Sequence, residues 1–300
     1  MQYTIGEIKE ILKAKGMVAD PGAGITRLLT DSRSLSFPEE TLFFAIKTRH
    51  GDGHDYVEEL YQRGVRNFVV NDAGRFQHLA DANFIQCGNN TKALQQLAAY
   101  HRSRFDIPVV GVTGSDGKTI VKEWAARSMP DDVRSFASPK SYNSQLGVAL
   151  SLLMLSGEEQ VAFIEAGISK PGEMERLERM IKPDVVVFTS IGDAHSANFE
   201  SQTEKIDEKL LLARDAKTII YSSEYRDLAQ RVRDVYAGRK LVDSSREVVD
   251  DMLELNDALT VDACHVQALM RELGYGVDDA VFTAHVEMRL ELKEGIDDSM

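Results

Sequence analysis

The chain has 300 residues, 43% of them apolar, and a formal net charge of -13. That length is enough for two domains with proper cores. The acidic balance argues against a broad nucleic-acid or anionic-membrane surface and still allows a local basic pocket for a phosphorylated ligand. Two cysteines, Cys87 and Cys264, lie far apart and form no metal-ligand spacing, so both read as core fillers rather than as a disulfide framework.

Met1 to Lys15 alternates charged and apolar residues as an amphipathic helix does, and it lacks the apolar centre and cleavage site of a signal peptide. No apolar run approaches a membrane span, so a cytoplasmic protein without membrane insertion is expected. Strand-like and helix-like segments then alternate, the pattern of an α/β protein with a mainly parallel sheet. Thr41 to Lys47 reads as a buried strand, His54 to Arg63 as a helix, Arg66 to Val70 as a strand and Thr91 to Phe105 as a closing helix. These make a small α/β domain, 1–105. After Asp106-Ile107-Pro108 a second series follows: Val109 to Thr113, Ile120 to Ser128, Ser144 to Leu155, Val161 to Ala166, Glu173 to Ile181, Val185 to Ile191, a helix over Glu204 to Ala213, and strand Thr218 to Ser222. It reads as a second α/β domain, of the phosphate-loop ATPase type, over 106–287.

The strand Val109 to Thr113 runs into Gly114-Ser115-Asp116-Gly117-Lys118-Thr119, where glycines allow a tight turn and a helix N-terminus faces the loop. This pattern predicts a site for a nucleoside triphosphate. Gly114, Ser115, Asp116 and Gly117 would wrap the phosphates, Lys118 would reach the β/γ-phosphates and the Thr119 hydroxyl would hold Mg²⁺. Val112 stands where the general motif has its first glycine, so the loop is of a narrower kind. In open parallel sheets ligands collect at the carboxyl ends of the strands. Glu165 ends one strand there and His195 follows another; together they could complete the coordination of Mg²⁺. Lys209, on an amphipathic segment, reads by itself as a solvated lysine.

Gly111 to Thr119, Ser138 to Gly147, Phe163 to Met174 and Thr189 to His195 resemble the successive motifs of the Mur ligases. They are most similar to the branch that adds D-alanyl-D-alanine to a UDP-N-acetylmuramoyl tripeptide, in the form fused to an alanine racemase. Leu29-Thr-Asp-Ser-Arg33, Leu42 to Lys47 and Asp52-Gly-His54 resemble the part of that family that holds the uridine diphosphate. The resemblance implies that 1–105 binds the UDP-muramyl peptide through Ser32 and Arg33, and that Asn143 and Ser144 contact its muramyl and phosphate region. It further implies ATP at the phosphate loop, Mg²⁺ on Thr119, Glu165 and His195, and a carbamate on Lys209 as a further metal ligand. The implied reaction is an ATP-dependent ligation through an acyl phosphate, with Lys118, His195 and Lys209 at the reacting phosphate. Asp262 stands where the family uses asparagine at the adenine, and Asp116 also replaces an asparagine.

The resemblance implies that 106–287 is the family's central ATP-binding domain, shortened after 243, and that 288–300 is a stub of the hinge to a third domain; that domain and the racemase are expected to be absent, the former to be supplied by a longer chain. Two other readings use the same residues. One is a Mur-type ligase adding a different amino acid, and the other is a non-catalytic module that binds ATP or a UDP-sugar.

Overall fold

The structure, a computed structural model, describes residues 1–49, 51–192, 198–249 and 255–282. It divides into two compact units, Met1–Phe105 with Ala149–Ser156, and Asp106–Val148 with the residues from Gly157 onward.

In the first unit β1 (Tyr3–Thr4) runs directly into α1 (Ile5–Ile11). A capping box closes the first turn, with Thr4 accepting from the Glu7 N–H and the Glu7 carboxylate accepting from the Thr4 N–H at 2.7 Å. The helix is shorter than the Met1 to Lys15 expected. Thr4 fixes its start, β1 is drawn into an antiparallel pair with β2 (Gly24–Ile25), and Lys13 is left-handed at φ +49°. Next come β3 (Arg27–Leu29), β4 (Thr41–Phe44), the small antiparallel pair β5 (Lys47–Thr48) and β6 (Gly51–Asp52), α2 (Val57–Gln62), β7 (Asn67–Val70), β8 (Asn83–Gln86) and α3 (Asn90–Arg102). The helix expected from His54 starts only at Val57, because Asp52 accepts from the His54 N–H and turns Gly53–Tyr56 into a 3-10 segment. Strands β3, β4, β7 and β8 lie side by side in that order, all parallel. Their core is aromatic: Phe84 stacks on Phe68 at 5.2 Å and on Phe76 at 5.3 Å. Each such buried ring contributes about 2–3 kcal/mol by area.

The second unit contains β9 (Val109–Thr113), α4 (Lys118–Arg127), β10 (Ser135–Ala137), α5 (Gln145–Leu152), β11 (Val161–Glu165), α6 (Met174–Ile181), β12 (Val185–Phe188), α7 (Gln202–Leu210), β13 (Thr218–Tyr221), α8 (Arg226–Val235), β14 (Lys240–Asp243) and α9 (Asp257–Leu273). The last part of α5 groups with the first unit. Six parallel strands are ordered β10-β11-β9-β12-β13-β14. The central strands are buried along their whole length, as parallel strands covered on both faces must be, which is why they read as unbroken valine-rich runs. β11 and β12 flank β9, and the registers Glu165 with Val112 and Phe188 with Thr113 bring three strand ends to one edge.

Helix α9 follows β14 in chain order. Asn256 caps it by accepting from the Leu259 N–H, Gly274 stops it at φ +87°, and it packs on α4, where Trp124 meets Phe282 edge-on at 5.0 Å. Among the described residues no helix is long and apolar enough to cross a membrane.

Candidate functional site

β9 delivers Thr113 to the C-terminal edge, and the chain then turns through Gly114 to Gly117 into α4. A Cβ on Gly114 would collide with the Thr189 hydroxyl and lie 2.9 Å from the Ser190 carbonyl oxygen. Gly117 is left-handed at φ +82°, and a Cβ there would run into the Asp262 carboxylate. Only glycine meets both demands. The exit of β12 braces the loop. The Ser115 N–H donates to the Ser190 carbonyl at 2.6 Å, the Asp116 N–H to the Ser190 hydroxyl at 3.3 Å, and the Thr189 hydroxyl to the Asp116 carbonyl at 2.6 Å. Two of the loop amides are therefore already engaged. An anion here would meet the amides entering α4, whose N-cap Gly117 offers no side-chain cap, and the Lys118 ammonium beside them.

Lys118 Nζ donates to the Ser115 carbonyl at 2.6 Å. Burial lowers its pKa, opposed by the charges of Glu165 and Asp116. Glu165, at the end of β11, is buried and engaged at both oxygens. Thr119 donates its hydroxyl to Oε2 at 2.8 Å and Asn143 donates Nδ2 to Oε1 at 2.7 Å. Lys209 is not the solvated lysine its helical pattern suggests. It is 3% exposed, its Nζ donates to the Gly114 carbonyl at 2.7 Å, and its pKa falls to about 7, from burial first and then from the charges of Lys118 and Lys205. Lys118, Asn143, Ser144, Ser169, Glu173 and Lys209 line one cavity of about 470 Å³.

Asp262 is buried on α9 with its carboxylate against Gly117. Nearby Tyr225 has its pKa raised to about 12 by burial and then by Asp262, Glu224 and Asp116. His195 lies outside the described residues. Ser32 and Arg33 belong to the first unit, in a 3-10 turn at the C-terminal end of β3. Ser32 is buried, whereas the Arg33 side chain is 86% exposed and pairs with Asp31 at 2.6 Å. The Arg33 guanidinium holds the Asp31 carboxyl down at about 2.

Sequence reasoning missed Ser190 as the brace of the loop, the buried Lys205 that donates to the Gly192 carbonyl, and the buried Lys122 beneath Glu165. For Lys122 the available signal was its spacing of three residues from Thr119, which places both on one face of α4.

Residues 112–238 match the family description Mur ligase middle domain. The chain is 32% identical over 189 residues to the UDP-N-acetylmuramoyl-tripeptide--D-alanyl-D-alanine ligase of Treponema pallidum, covering 60% of this chain and 40% of the relative. The enzyme of the same name from Bacillus subtilis is 30% identical over 220 residues, 72% of this chain and 47% of the relative. The chain thus spans less than half the length of these curated relatives. A MurF crystal structure from Acinetobacter baumannii superposes with a TM-score of 0.81 at 21% identity, over 94% of this chain and 67% of that one. A MurF structure from Thermotoga maritima in complex with ADP gives 0.72 at 22% identity, over 86% and 65%. At these identities the structural likeness is one of fold.

Proposed function

We propose, from the premise that this chain is a relative of the Mur ligases with a Mur ligase middle domain, that it serves ATP-dependent ligation of D-alanyl-D-alanine to a UDP-N-acetylmuramoyl tripeptide. The observation that carries the reading is the convergence of Lys118, Thr119, Glu165 and Lys209 on the free end of one phosphate-type loop. The names of the curated relatives favour D-alanyl-D-alanine over another amino substrate. A cytoplasmic location belongs to the same proposal, since ATP and a UDP-linked precursor would be its substrates.

The residues fit a divalent cation of the Mg²⁺ kind. A buried carboxylate and a hydroxyl already meet at 2.8 Å, and Mg²⁺ is commonly held by one or two carboxylates together with substrate phosphates and waters. Thr119 and Glu165 would hold it, with His195 as a proposed further ligand. Bound there, the ion neutralises charge on the β/γ-phosphates. Among the described residues no cluster of three acidic, histidine or cysteine ligands exists, and in this proposal the nucleotide phosphates share the coordination with Thr119, Glu165 and His195.

In this proposal Lys118 and the first amides of α4 hold the triphosphate in line with the tripeptide carboxylate. That carboxylate attacks the γ-phosphorus, the bond from the γ-phosphorus to the bridging oxygen breaks, and ADP leaves. The amine of D-alanyl-D-alanine then attacks the acyl carbon, expels phosphate and gives up a proton. The protein supplies position and charge rather than a covalent intermediate of its own. Asn143 and Ser144 line the cavity where the carboxylate end would enter, Ser32 and Arg33 would serve the uridine-diphosphate end, and Asp262 would stand at the nucleotide base.

With a pKa of about 7, Lys209 is partly uncharged near neutrality. Its neutral amine can add to CO₂, releasing one proton and becoming a carbamate anion. That anion would exchange a cation for a negative charge beside bound metal.

The test is phosphate release from Mg·ATP by the purified chain, with and without UDP-muramyl tripeptide. Release that requires the tripeptide carboxylate is expected. Failure to bind ATP, or release indifferent to the tripeptide, would overturn the proposal.

A further inference from the structure

We propose that Lys122 is the positioning residue of the nucleotide site, tying the loop 138–144 to α4 so that Asn143 and Thr119 reach opposite oxygens of Glu165. Lys122 lies one turn beyond Lys118, on the face of α4 that carries Thr119. Its side chain is completely buried, and its ammonium donates to the Ser138 carbonyl at 2.5 Å and the Lys140 carbonyl at 2.5 Å. Glu123 Oε1 lies 3.0 Å away and Glu165 Oε2 3.9 Å away. Two of the three donors of the ammonium go to these carbonyls, and the Glu123 carboxylate lies beside it as an ion pair.

Burying a charge is costly, and a methionine would fill a similar volume without that cost. The convergence of carbonyls supplies the reason for a cation. Lys140 is left-handed at φ +50°, a conformation unusual for a side chain of its kind, and this turn brings both carbonyls to one point. The same loop touches Glu165 on both sides of that clamp. The Ser138 hydroxyl accepts from the Glu165 N–H at 3.1 Å, and Asn143 donates to Oε1 at 2.7 Å. Without the clamp the loop loses its central anchor, and the Glu165 carboxylate loses the partner that fixes its plane against Thr119.

This inference rests on the nucleotide reading above, and calorimetry separates the two. ATP is titrated with and without Mg²⁺ into the wild-type chain, Lys122→Met, Asn143→Ala and the double variant. In the absence of Mg²⁺, Lys122→Met should bind ATP within threefold of wild type, since Lys118 and the amides of α4 are untouched. The gain in affinity that Mg²⁺ gives should fall at least tenfold in each single variant. In the double variant it should fall no further than in the weaker-binding single, because both changes remove one coupled arrangement. Retention of the full Mg²⁺ gain in either single variant, or losses that multiply in the double, would overturn the inference. If Lys122→Met does not fold, Asn143→Ala, on a partly exposed loop, decides alone. A wild type that binds no ATP at all would instead remove the nucleotide reading on which the inference stands.

Discussion

Both units place polar residues at the C-terminal edge of a parallel sheet, yet they prepare those edges differently. In the second unit Lys118, Lys122 and Lys209 are drawn into the protein and donate to backbone carbonyls, and Glu165 accepts from the Thr119 and Asn143 side chains. In the first unit Arg33 reaches into solvent and is held by its near neighbour Asp31. The second edge is built for charge neutralisation at fixed positions, where a low dielectric strengthens each interaction. The first leaves its arginine exposed, paired only with a local carboxylate among the described residues. Histidines show a related contrast. His101 in the first unit has both ring nitrogens engaged, by Tyr3 and by the Leu155 carbonyl, each at 2.8 Å. His265 in the second is bonded at Nδ1 to Ser244 at 2.9 Å, while Nε2 has no partner among the described residues.

The largest effect that would sharpen this contrast concerns acid. Burial pulls the His265 pKa from 6.5 down to about 4, against the pull of Asp243. Below its folded pKa the ring is protonated in both states and the folded state bears the full cost of a buried cation. Between about 4 and 6.5 the unfolded chain binds the extra proton, so stability rises with pH across that window and is fully recovered above it. The change is on the order of 3 kcal/mol. Urea unfolding at pH 4, 5 and 6.5 should show His265→Leu to be less acid-sensitive than wild type by roughly that amount. Equal slopes in the two proteins would remove His265 as the cause.

Next in size is Lys118→Ala. It takes away the charge opposite the phosphates and should weaken ATP binding at least tenfold, about 1.4 kcal/mol or more. Equal affinity by calorimetry would mean that the loop does not carry the nucleotide. A smaller signal is expected at Lys209. With ¹³C-bicarbonate, a carbamate resonance should grow as pH rises through about 7 and be missing from Lys209→Met. A wild-type spectrum without that resonance would leave Lys209 as an unmodified amine at the loop. The smallest effect is expected at the exposed edge. Arg33→Ala should lower affinity for the UDP-muramyl tripeptide roughly threefold to tenfold, as loss of one charged contact does, while ATP affinity and melting temperature stay put. If both ligands weaken together, the proposed assignment of the uridine-diphosphate end to the first unit falls.

Several parts of the site were legible before any coordinates. The phosphate loop reads from contiguous residues, since a strand, spaced glycines, Lys118-Thr119 and a helix must follow one another for the backbone to wrap an anion. Glu165 reads from its place at the end of an unbroken apolar run. Not every strand was legible. Among the strands of the two larger sheets, β3, β8, β10 and β14 carry polar residues at one or both ends in place of the apolar runs that marked β4 and β12, and their partners in the sheet decide them. Lys209 was legible as a site only through family resemblance. The helical pattern alone sends it to solvent, and packing of α7 over the Gly114 carbonyl reverses that.

The sequence by itself determined the alternation of strands and helices, the two-part organisation of the reading and the phosphate loop, because these depend on periodicity and on neighbours along the chain. Tertiary structure decided which cations are buried and what they face. Lys118, Lys122 and Lys209 come from two helices, α4 and α7. Their targets are carbonyls at positions 115, 138, 140 and 114, and the last two lysines lie 16 and 95 residues from their partners Ser138 and Gly114. An ammonium on a four-carbon stem can be solvated, paired or buried at similar cost until its acceptors are fixed. No local pattern sets that choice; the register of β11 and β12 against β9 does, by bringing Glu165, the phosphate loop and the Thr189–Ser190 brace to one edge.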